Sequence, residues 1–360
     1  MSSPAAVVCS YRLGGADGVS VEARKWEWAL HELGFLTRRV AGDFADGLRR
    51  DDTWLPFLAI DPPPGTHVEA DALAATLAGA DLVVVENLCS LPLNVDAATV
   101  AMQVLAEHDG RVLFHHHDLP WEREHLAHLV AFPPRRPNSL HVTINDQARL
   151  ALGRRGIEAV TIRNSFDLDP EPGDRAGTRA GLGVSPIDRL VLQPTRAIPR
   201  KEVGRGIELA GRLAARSERP VVYWLTGPAE DGFGPQLDRL VDSADVEVRL
   251  GRAPRAEDAY AASDLVVFPS SWEGFGNPVI EAIIARRPIA TATYPVLDEL
   301  VALGLDLFSI DDVDGIAAWL RTPTTELLDR NVAVVGEHFD LRDLPQRLAN
   351  TLSAVGWTEW

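Results

Sequence analysis

Two glutamates, Glu273 and Glu281, stand eight positions apart across a Gly-Phe-Gly-Asn-Pro turn. The apolar segment before the turn predicts a buried strand, and Pro278 suits the first residue of a following helix with Asn277 as its cap. The free N–H groups of this helix start and of the glycine-rich loop would form an anion site. A buried carboxylate near such a helix start stays ionised and accepts hydrogen bonds, which is what holding vicinal hydroxyls requires. An ordinary helix start with an acid in its first turn remains the alternative.

A basic cluster follows another predicted strand, with Arg196, Arg200, Lys201 and Arg205 inside ten residues of an acidic chain. Paired Arg and Lys after a strand can clamp a diphosphate and neutralise the charge that develops on a leaving group. The alternative is a solvated basic helix start, although cations are disfavoured at the positive end of a helix dipole. The sequence therefore favours a functional anion site here.

A glycine-rich loop, with Gly14, Gly15 and Gly18, follows the first predicted strand and precedes a helix. Its backbone could approach a ligand closely, although the spacing is not that of the GxGxxG motif. Asp17 lies in the same loop and could meet either an acceptor hydroxyl or only solvent. This loop is a weaker candidate for ligand binding than the two clusters above.

Three successive histidines and an aspartate, HHHD, end a further predicted strand. Side chains alternate along a strand, so at most two of these histidines share a face. We expect one of His116 and His117, with Asp118, to hydrogen-bond a ligand. A zinc site is not predicted, because the spacing matches no standard ligand pattern and no cysteine joins it.

The composition bounds what the chain can do. Its 360 residues are 46% hydrophobic and 24% charged, which indicates a globular protein of two domains. The formal net charge of -17 argues against a general affinity for nucleic acid or anionic membranes. There is no membrane-spanning apolar run, and the first residues do not resemble a signal peptide. With only Cys9 and Cys89 as thiols, we expect a cytoplasmic protein without disulfides.

Short β-branched runs alternate with longer amphipathic segments, which predicts an α/β fold with mainly parallel sheets. FLAI is one of the predicted strands of the first half. The alternation pauses in a stretch rich in Gly, Pro and Asp, which predicts an interdomain linker. We expect a doubly wound domain over 1–165, a linker over 166–188, a second doubly wound domain over 189–340, and a C-terminal helix over 341–360 that could pack back on the first domain. Because ligands bind at the carboxyl ends of parallel strands, the candidate residues would face a cleft between the domains.

The combination of motifs resembles the family 4 retaining glycosyltransferases, which have the GT-B fold of two facing Rossmann-like domains. WEGFGNPVIEA is similar to the E-x7-E element of that family, and the spacing from Arg196 to Lys201 is similar to its diphosphate-binding pair. RNSFD resembles the Asn-Gly-Val-Asp that precedes the family's linker, with Ser165 in place of glycine, so the role of that turn is open. The likeness runs in order through nearly the whole chain. A narrower likeness is to members that act on small polar acceptors, such as mannosylglucosyl-phosphoglycerate synthases.

The resemblance implies roles for the candidate residues. Glu281 would hold the ribose hydroxyls, Glu273 hydroxyls of the transferred sugar, and Arg196 with Lys201 the diphosphate. His117 would contact the far side of the sugar, or His116 if the register differs by one. The resemblance places further residues on the donor side: Phe275, Gly276, Asn277, Gly227, Arg252, Gly14 and Gly15. On the acceptor side it places Asp17, His116 and Asp118.

The implied reaction moves a hexose from a nucleotide diphosphate sugar to a small soluble acceptor, with retention of anomeric configuration. No Asp-x-Asp motif stands at a strand end, so we expect the cations Arg196 and Lys201, and no metal ion or other cofactor, to stabilise the leaving group. Two alternatives remain open: a transferase with a lipid-linked acceptor, and a protein that binds nucleotide sugars without catalysis. The base, the hexose, the acceptor and the oligomeric state, including a homodimer, are not determined by the sequence.

Overall fold

The structure is a computed structural model that describes residues 3–359. Met1, Ser2 and Trp360 lie outside the described residues. The chain divides into two compact units, Met1–Ser165 with Leu341–Trp360, and Phe166–Asp340. Among the helices of residues 3–359, none combines the length and the apolar composition that crossing a bilayer requires.

The first unit is built on one parallel sheet. Its strands are β1 (Ala5–Leu13), β2 (Leu36–Phe44), β3 (Thr53–Trp54), β4 (Leu82–Glu86), β5 (Arg111–His116), β6 (Ser139–Thr143) and β7 (Val160–Thr161). Its helices are α1 (Gly18–Glu32), α2 (Ala70–Leu77), α3 (Val95–Glu107), α4 (Asp146–Gly153) and, from the end of the chain, α13 (Leu344–Ala354). Short 3-10 turns occupy Pro56–Leu58, Pro120–Glu122, Glu124–Leu126 and Leu341–Asp343. The strand order is β3-β2-β1-β4-β5-β6-β7, and all neighbours are parallel.

The core of the first unit lies on both faces of this sheet. β4 is buried along its whole length, as expected of a central strand covered by helices on both sides. One apolar layer includes residues of β4 and α3, and the other includes Trp26 and Leu30 of α1. The C-terminal helix α13 joins the second layer through Leu344 and Leu348.

The second unit repeats this plan with six strands. They are β8 (Arg189–Gln193), β9 (Val221–Leu225), β10 (Glu247–Leu250), β11 (Leu265–Phe268), β12 (Ile289–Thr291) and β13 (Phe308–Ser309). Its helices are α5 (Arg175–Leu182), α6 (Val203–Ala214), α7 (Gly234–Asp242), α8 (Ala256–Ala262), α9 (Asn277–Ile284), α10 (Leu297–Ala302), α11 (Val313–Arg321) and α12 (Glu326–His338), with a 3-10 turn at Pro199–Lys201. The strand order is β10-β9-β8-β11-β12-β13, again parallel throughout.

In each sheet the strand order reverses beside the first strand. The reversal lies between β1 and β4 in the first unit and between β8 and β11 in the second. Crevices at the carboxyl ends of such strand pairs are where open parallel sheets bind ligands. The loops after these four strands are therefore the first places to examine for a site.

Two sequence predictions differ from the structure. FLAI does not form a strand: Pro56 opens a 3-10 turn there, and the third strand is only Thr53–Trp54. Residues 166–188, predicted as a linker, belong to the second unit and contain α5. The polar and glycine residues that suggested a linker are helix ends, because Asp174 accepts a hydrogen bond from the Gly177 amide and Gly183 ends α5 with a φ of 68°.

Candidate functional site

Glu273 lies in the loop that joins β11 to α9. The helix begins at Asn277, and the preceding Gly276 is the residue at its cap position, with a φ of +102°. The predicted cap at Asn277 with Pro278 as first residue is therefore one position late, because only glycine adopts that backbone conformation freely. Pro278 still falls in the first turn, where its missing N–H costs no hydrogen bond.

Gly276 has no room for a side chain. A Cβ atom there would lie 2.3 Å from the hydroxyl oxygen of Tyr294. We expect Gly276→Ala to destabilise the protein by at least the roughly 1–2 kcal/mol of a left-handed non-glycine residue, which would lower the melting temperature by several degrees. Gly234→Ala is the matched control in α7, because nothing lies within 4 Å of a Cβ at that position. Thermal unfolding of both variants checks this, and equal melting temperatures would contradict it.

Two cations hold the Glu273 carboxylate. Lys201 Nζ donates to Glu273 Oε1, and Arg200 Nη1 donates to Glu273 Oε2 at 2.9 Å. Arg200 also donates to the carbonyl of Trp272 at 3.0 Å. The structure therefore brings together Glu273 and Lys201, which lie 72 positions apart in the chain.

The backbone of the Lys201 turn is fixed from the end of β8. Gln193, the last residue of that strand, donates from Nε2 to the Lys201 carbonyl at 2.9 Å and accepts at Oε1 from the Tyr223 hydroxyl at 2.6 Å. The Lys201 ammonium also lies 5.4 Å from the centre of the Phe268 ring, at the end of β11. The adjacent ends of β8 and β11 thus position both partners of the ion pair.

The charges of this cluster depend on one another. Burial works to raise the pKa of Glu273, but Lys201 and Arg200 outweigh burial and hold that pKa below 4.5. Burial lowers the pKa of Lys201, and Glu273 opposes this shift without cancelling it. Lys201 and Glu273 are each at most 8% exposed. Glu273 is therefore a buried anion that is already neutralised by protein cations.

Arg196 is not bonded to this carboxylate. It is exposed, and its Nη1 bonds Glu230 Oε2 at 2.6 Å. Gly227 follows β9 and packs against this loop, because its N–H donates to the Thr195 carbonyl at 3.0 Å and a Cβ would lie 2.5 Å from Arg196 Cα. Arg252 follows β10 and is exposed. The pairing of Arg196 with Lys201 on a diphosphate stays a prediction, whereas Arg200 is the second cation at Glu273.

Glu281 lies on α9 and has a different partner. The Tyr260 hydroxyl, on α8, donates to Glu281 Oε2 at 2.5 Å. Tyr260 is buried, and burial together with the Glu281 charge raises its pKa well above 10.0, so the hydroxyl keeps its proton. The predicted ribose carboxylate is thus oriented by a buried donor. The sequence alone gave no signal for Tyr260, which precedes it by 21 positions.

Phe275 is a packing residue whose backbone lies beside these carboxylates. Its ring stacks near Phe166 at 6.2 Å and meets Phe339 edge-on at 5.8 Å, and its carbonyl accepts from Tyr294 at 3.3 Å. The Phe275 ring is therefore not available to a ligand, and a role for its backbone stays a prediction.

In the first unit, Gly14 and Gly15 form a tight turn after β1. Gly14 has a φ of +77°, and a Cβ there would lie 1.9 Å from Asp46 Oδ1. Asp17 caps α1 by accepting from Ser20, and it pairs with Arg12 Nε at 3.2 Å. Asp17 is therefore a helix cap, and its contact with an acceptor stays a prediction. The glycines are explained by the turn itself and stay only predicted as ligand contacts.

Successive histidines point to opposite faces of the sheet, as in any strand. His116 points to one face, and His115 and His117 point to the other. His116 is 1% exposed, with Nδ1 at 2.5 Å from Ser90 Oγ and Nε2 at 2.9 Å from His141 Nδ1. The prediction of His116 as an acceptor contact is therefore wrong, because both ring nitrogens are committed inside the unit. Asp118 bonds Arg123 at 3.3 Å through its carboxylate.

His115 and His117 share the other face and meet Glu86 at the end of β4. His115 Nδ1 lies 2.9 Å and His117 Nε2 lies 2.8 Å from Glu86 Oε2. Glu86 is fully buried; burial works to raise its pKa, but the two histidines outweigh burial and lower it to about 2. Glu86 was not singled out in the sequence, although it ends a predicted strand as the other candidates do.

These three side chains are close enough to hold a metal ion, but they fit hydrogen bonding better. Their ligand atoms lie within 4.8 Å of one another. A histidine that binds a metal through one nitrogen normally donates its other N–H to an acceptor. Among residues 3–359 His115 Nε2 is buried without a partner, so a metal on Nδ1 would leave a buried N–H unpaired. If Nδ1–H donates to Glu86 instead, His115 Nε2 carries no hydrogen, and only its lone pair is left unpaired.

Sequence comparisons relate this chain to known proteins. Residues 192–322 match the protein family described as Glycosyl transferases group 1. Mannosylglucosylglycerate synthase of Thermotoga maritima is 27% identical over 95% of this chain and 97% of its own length. The enzyme of the same name from Petrotoga mobilis is 25% identical over 83% of this chain and 85% of its own length.

Solved structures show the same architecture. Alr3699/HepE of Anabaena in complex with UDP-glucose superposes with a TM-score of 0.72 at 20% identity, covering 97% of this chain and 99% of that one. Sucrose-phosphate synthase from Thermosynechococcus elongatus superposes with a TM-score of 0.75 at 17% identity, covering 99% of this chain and 100% of that one. The predicted fold is thereby confirmed. The chain has the GT-B fold, and its residues 192–322 match the group 1 glycosyl transferases, which supports an enzyme of that class.

Proposed function

We propose that this enzyme moves a hexose, with retention of anomeric configuration, from a nucleotide diphosphate sugar to a small polar acceptor in the cytoplasm. The observation that carries the proposal is the buried Glu273 carboxylate held by Lys201 and Arg200 at the adjacent ends of β8 and β11. Such a cluster offers cations for a diphosphate and a carboxylate for sugar hydroxyls within one hydrogen-bond network. The two mannosylglucosylglycerate synthases support a small polar acceptor, because their similarity covers most of both chains.

Donor binding would redistribute the bonds of this cluster. A diphosphate competes with Glu273 for Lys201 and Arg200, and each bond that it takes frees a carboxylate lone pair for a sugar hydroxyl. Charge then develops on the leaving phosphate where the cations already lie, so stabilisation needs little reorganisation. The leaving phosphate would accept the proton of the acceptor hydroxyl on the same face of the sugar, as the likeness to retaining enzymes implies.

We propose that no metal ion takes part. Lys201, Arg200 and the nearby Arg196 supply positive charge at the place where a metal would otherwise neutralise the diphosphate. A chelator such as EDTA should therefore leave the transfer rate unchanged.

The donor can be identified by thermal shift. We expect UDP, GDP or ADP to raise the melting temperature, one of them more than the others, because a ligand that binds only the folded state stabilises it in proportion to its affinity. The sugar nucleotides of the preferred base are then incubated with glycerate-based acceptors, and proton NMR of the product gives the anomeric configuration. Inversion of configuration would contradict the proposed mechanism, and absence of stabilisation by all three nucleotides would contradict the donor class.

A lipid-linked acceptor is the second candidate. It predicts robust sedimentation of the enzyme with anionic vesicles at physiological salt, which the proposed soluble acceptor does not. The net charge of -17 favours the soluble acceptor.

A further inference from the structure

The protons on the Glu86 cluster follow from its geometry. An ionised carboxylate only accepts hydrogen bonds, so the nitrogen that each histidine turns to Glu86 must carry a proton. His115 therefore carries its proton on Nδ1, and His117 carries one on Nε2. The bond to Glu86 orients the His117 ring, and the backbone N–H of His117 donates to Asn87 Oδ1 at 3.1 Å, which fixes the backbone there.

The other nitrogen of His117 is the one that remains available. Among residues 3–359, Nδ1 of His117 has no hydrogen-bond partner, yet it is not among the side-chain atoms that are buried without one. Nδ1 therefore retains access to solvent although the residue as a whole is only 7% exposed. A ligand that reaches His117 would meet Nδ1.

A second layer of charge lies behind the cluster on α1. Glu22 is buried and bonds Lys25, whose ammonium also donates to the Ser165 carbonyl. Trp26, one turn along, packs on the His115 ring at 4.1 Å between ring centres. Trp26 thus covers one side of the His115 ring.

The charged groups that face His117 favour its protonated form. Burial works to lower the pKa of His117, but the carboxylates of Glu86, Glu22 and Asp118 outweigh burial and raise that pKa above 6.5. The neighbouring His115 stays neutral, because burial and the His117 charge lower its pKa despite Glu86. When His117 is protonated, Nδ1 carries a hydrogen as Nε2 does, and the accessible nitrogen is then a donor; in the neutral ring it is an acceptor.

We propose that Glu86 is a positioning residue, which holds His117 through Nε2–H and so presents Nδ1 to a hydroxyl of the transferred sugar, with the protonated ring as the donor. This inference rests on the proposed function, because it assigns a substrate group to His117. Its new element is that Glu86 orients the His117 ring and favours its protonated form. Neutralising Glu86 would leave the ring free to rotate or to lose its proton.

Nitrogen NMR of the full-length enzyme, labelled with ¹⁵N-histidine, tests the proposal directly. His117→Gln assigns the His117 signals among the ten histidines. In the wild type we expect His117 to be protonated on both nitrogens below its pKa and on Nε2 alone above it. In Glu86→Gln we expect the His117 pKa to fall. Ser90→Ala is the matched control, since it removes a buried bond to His116 on the opposite face and should leave the His117 signals unchanged.

The results that would overturn this proposal differ from those expected if the variant misfolds or if the proposed function is wrong. A wild-type His117 with its high-pH proton on Nδ1, or an unchanged His117 in a folded Glu86→Gln variant, would overturn the proposal. So would one equivalent of zinc bound through these side chains, seen as loss of both N–H signals and by elemental analysis. If Glu86→Gln does not fold, the wild-type spectra alone decide, and they need no substrate.

Steady-state kinetics distinguish a positioning role of Glu86 from a purely structural one. In Glu86→Gln we expect kcat/KM at neutral pH to fall by roughly tenfold or more, the worth of one charge-assisted hydrogen bond. The alkaline limb of its pH profile should move to lower pH with the His117 pKa. A variant that is merely less stable would keep the wild-type profile, which would contradict the proposal. If the wild type transfers no sugar at all, the proposed function fails while the NMR result still stands.

Discussion

Replacing Lys201 by methionine is expected to slow glycosyl transfer by roughly 100-fold, the usual effect of removing one preorganised donor to a developing negative charge. Methionine has nearly the length and the apolar stem of lysine but no charge, so the loss in rate measures the contribution of the ammonium group. The same change leaves Glu273 buried with only Arg200 as a cation. We therefore expect a separate loss of about 3 kcal/mol in stability, the lower part of the range for breaking a buried ion pair.

The double variant separates these two effects. In Lys201→Met with Glu273→Gln no uncompensated carboxylate remains, so we expect stability to return to within about 1 kcal/mol of the wild type. The transfer rate should stay low, because both the cation and the carboxylate proposed to bind the sugar are gone. Denaturant unfolding and initial rates on the four members of the cycle measure both quantities. Activity that recovers together with stability would mean that the ion pair serves only the fold.

Much of the fold could be predicted because it depends on local patterns. The alternation of β-branched runs and amphipathic segments predicts two doubly wound sheets, and both are present. The pattern fails where a local signal has two meanings. Aspartate and glycine are common both in linkers and at helix ends. At Asp174 and Gly183, only the presence of α5 between them shows that they are helix ends.

The candidate site was predictable by residue type and less so by partner. Glu273, Glu281 and Lys201 stand out because they follow strands or begin a helix. Their partners do not stand out: Arg200 was one of four cations, and nothing local marks Tyr260. The face of each histidine follows from strand alternation, but which face carries the free nitrogen depends on Glu86, some 30 positions away. Contacts at such separations depend on the order of strands in the sheet.

The two lysines of the chain, Lys25 and Lys201, make the same kind of contact. Each joins a buried glutamate, Glu22 or Glu273, and each does so in a chain whose other basic side chains are arginines. The compact ammonium fits a confined position where a planar guanidinium would need a wider space and a second acceptor. Arginine in either place would therefore not be a conservative change.

Glu281→Gln is expected to weaken nucleotide binding by roughly 10-fold to 100-fold, because hydrogen bonds to a charged acceptor contribute about 1.5–3 kcal/mol and the ribose would lose its carboxylate. The Tyr260 hydroxyl can still donate to the amide oxygen of the glutamine, so this variant leaves no buried donor unpaired. Glu281→Ala would leave it unpaired, and its effect on stability would complicate the measurement. Calorimetric titration with the preferred nucleoside diphosphate gives the affinity.

Tyr260→Phe and Glu208→Gln complete the test. The first removes the donor that orients Glu281 and keeps the carboxylate, so we expect a smaller loss of affinity than in Glu281→Gln. The second makes the same carboxylate-to-amide change at an exposed position of α6 and should leave the affinity unchanged. An affinity of Glu281→Gln equal to that of the Glu208→Gln control would refute the ribose assignment. Equal losses in Glu281→Gln and Tyr260→Phe would instead show that the orientation of the carboxylate matters as much as its charge.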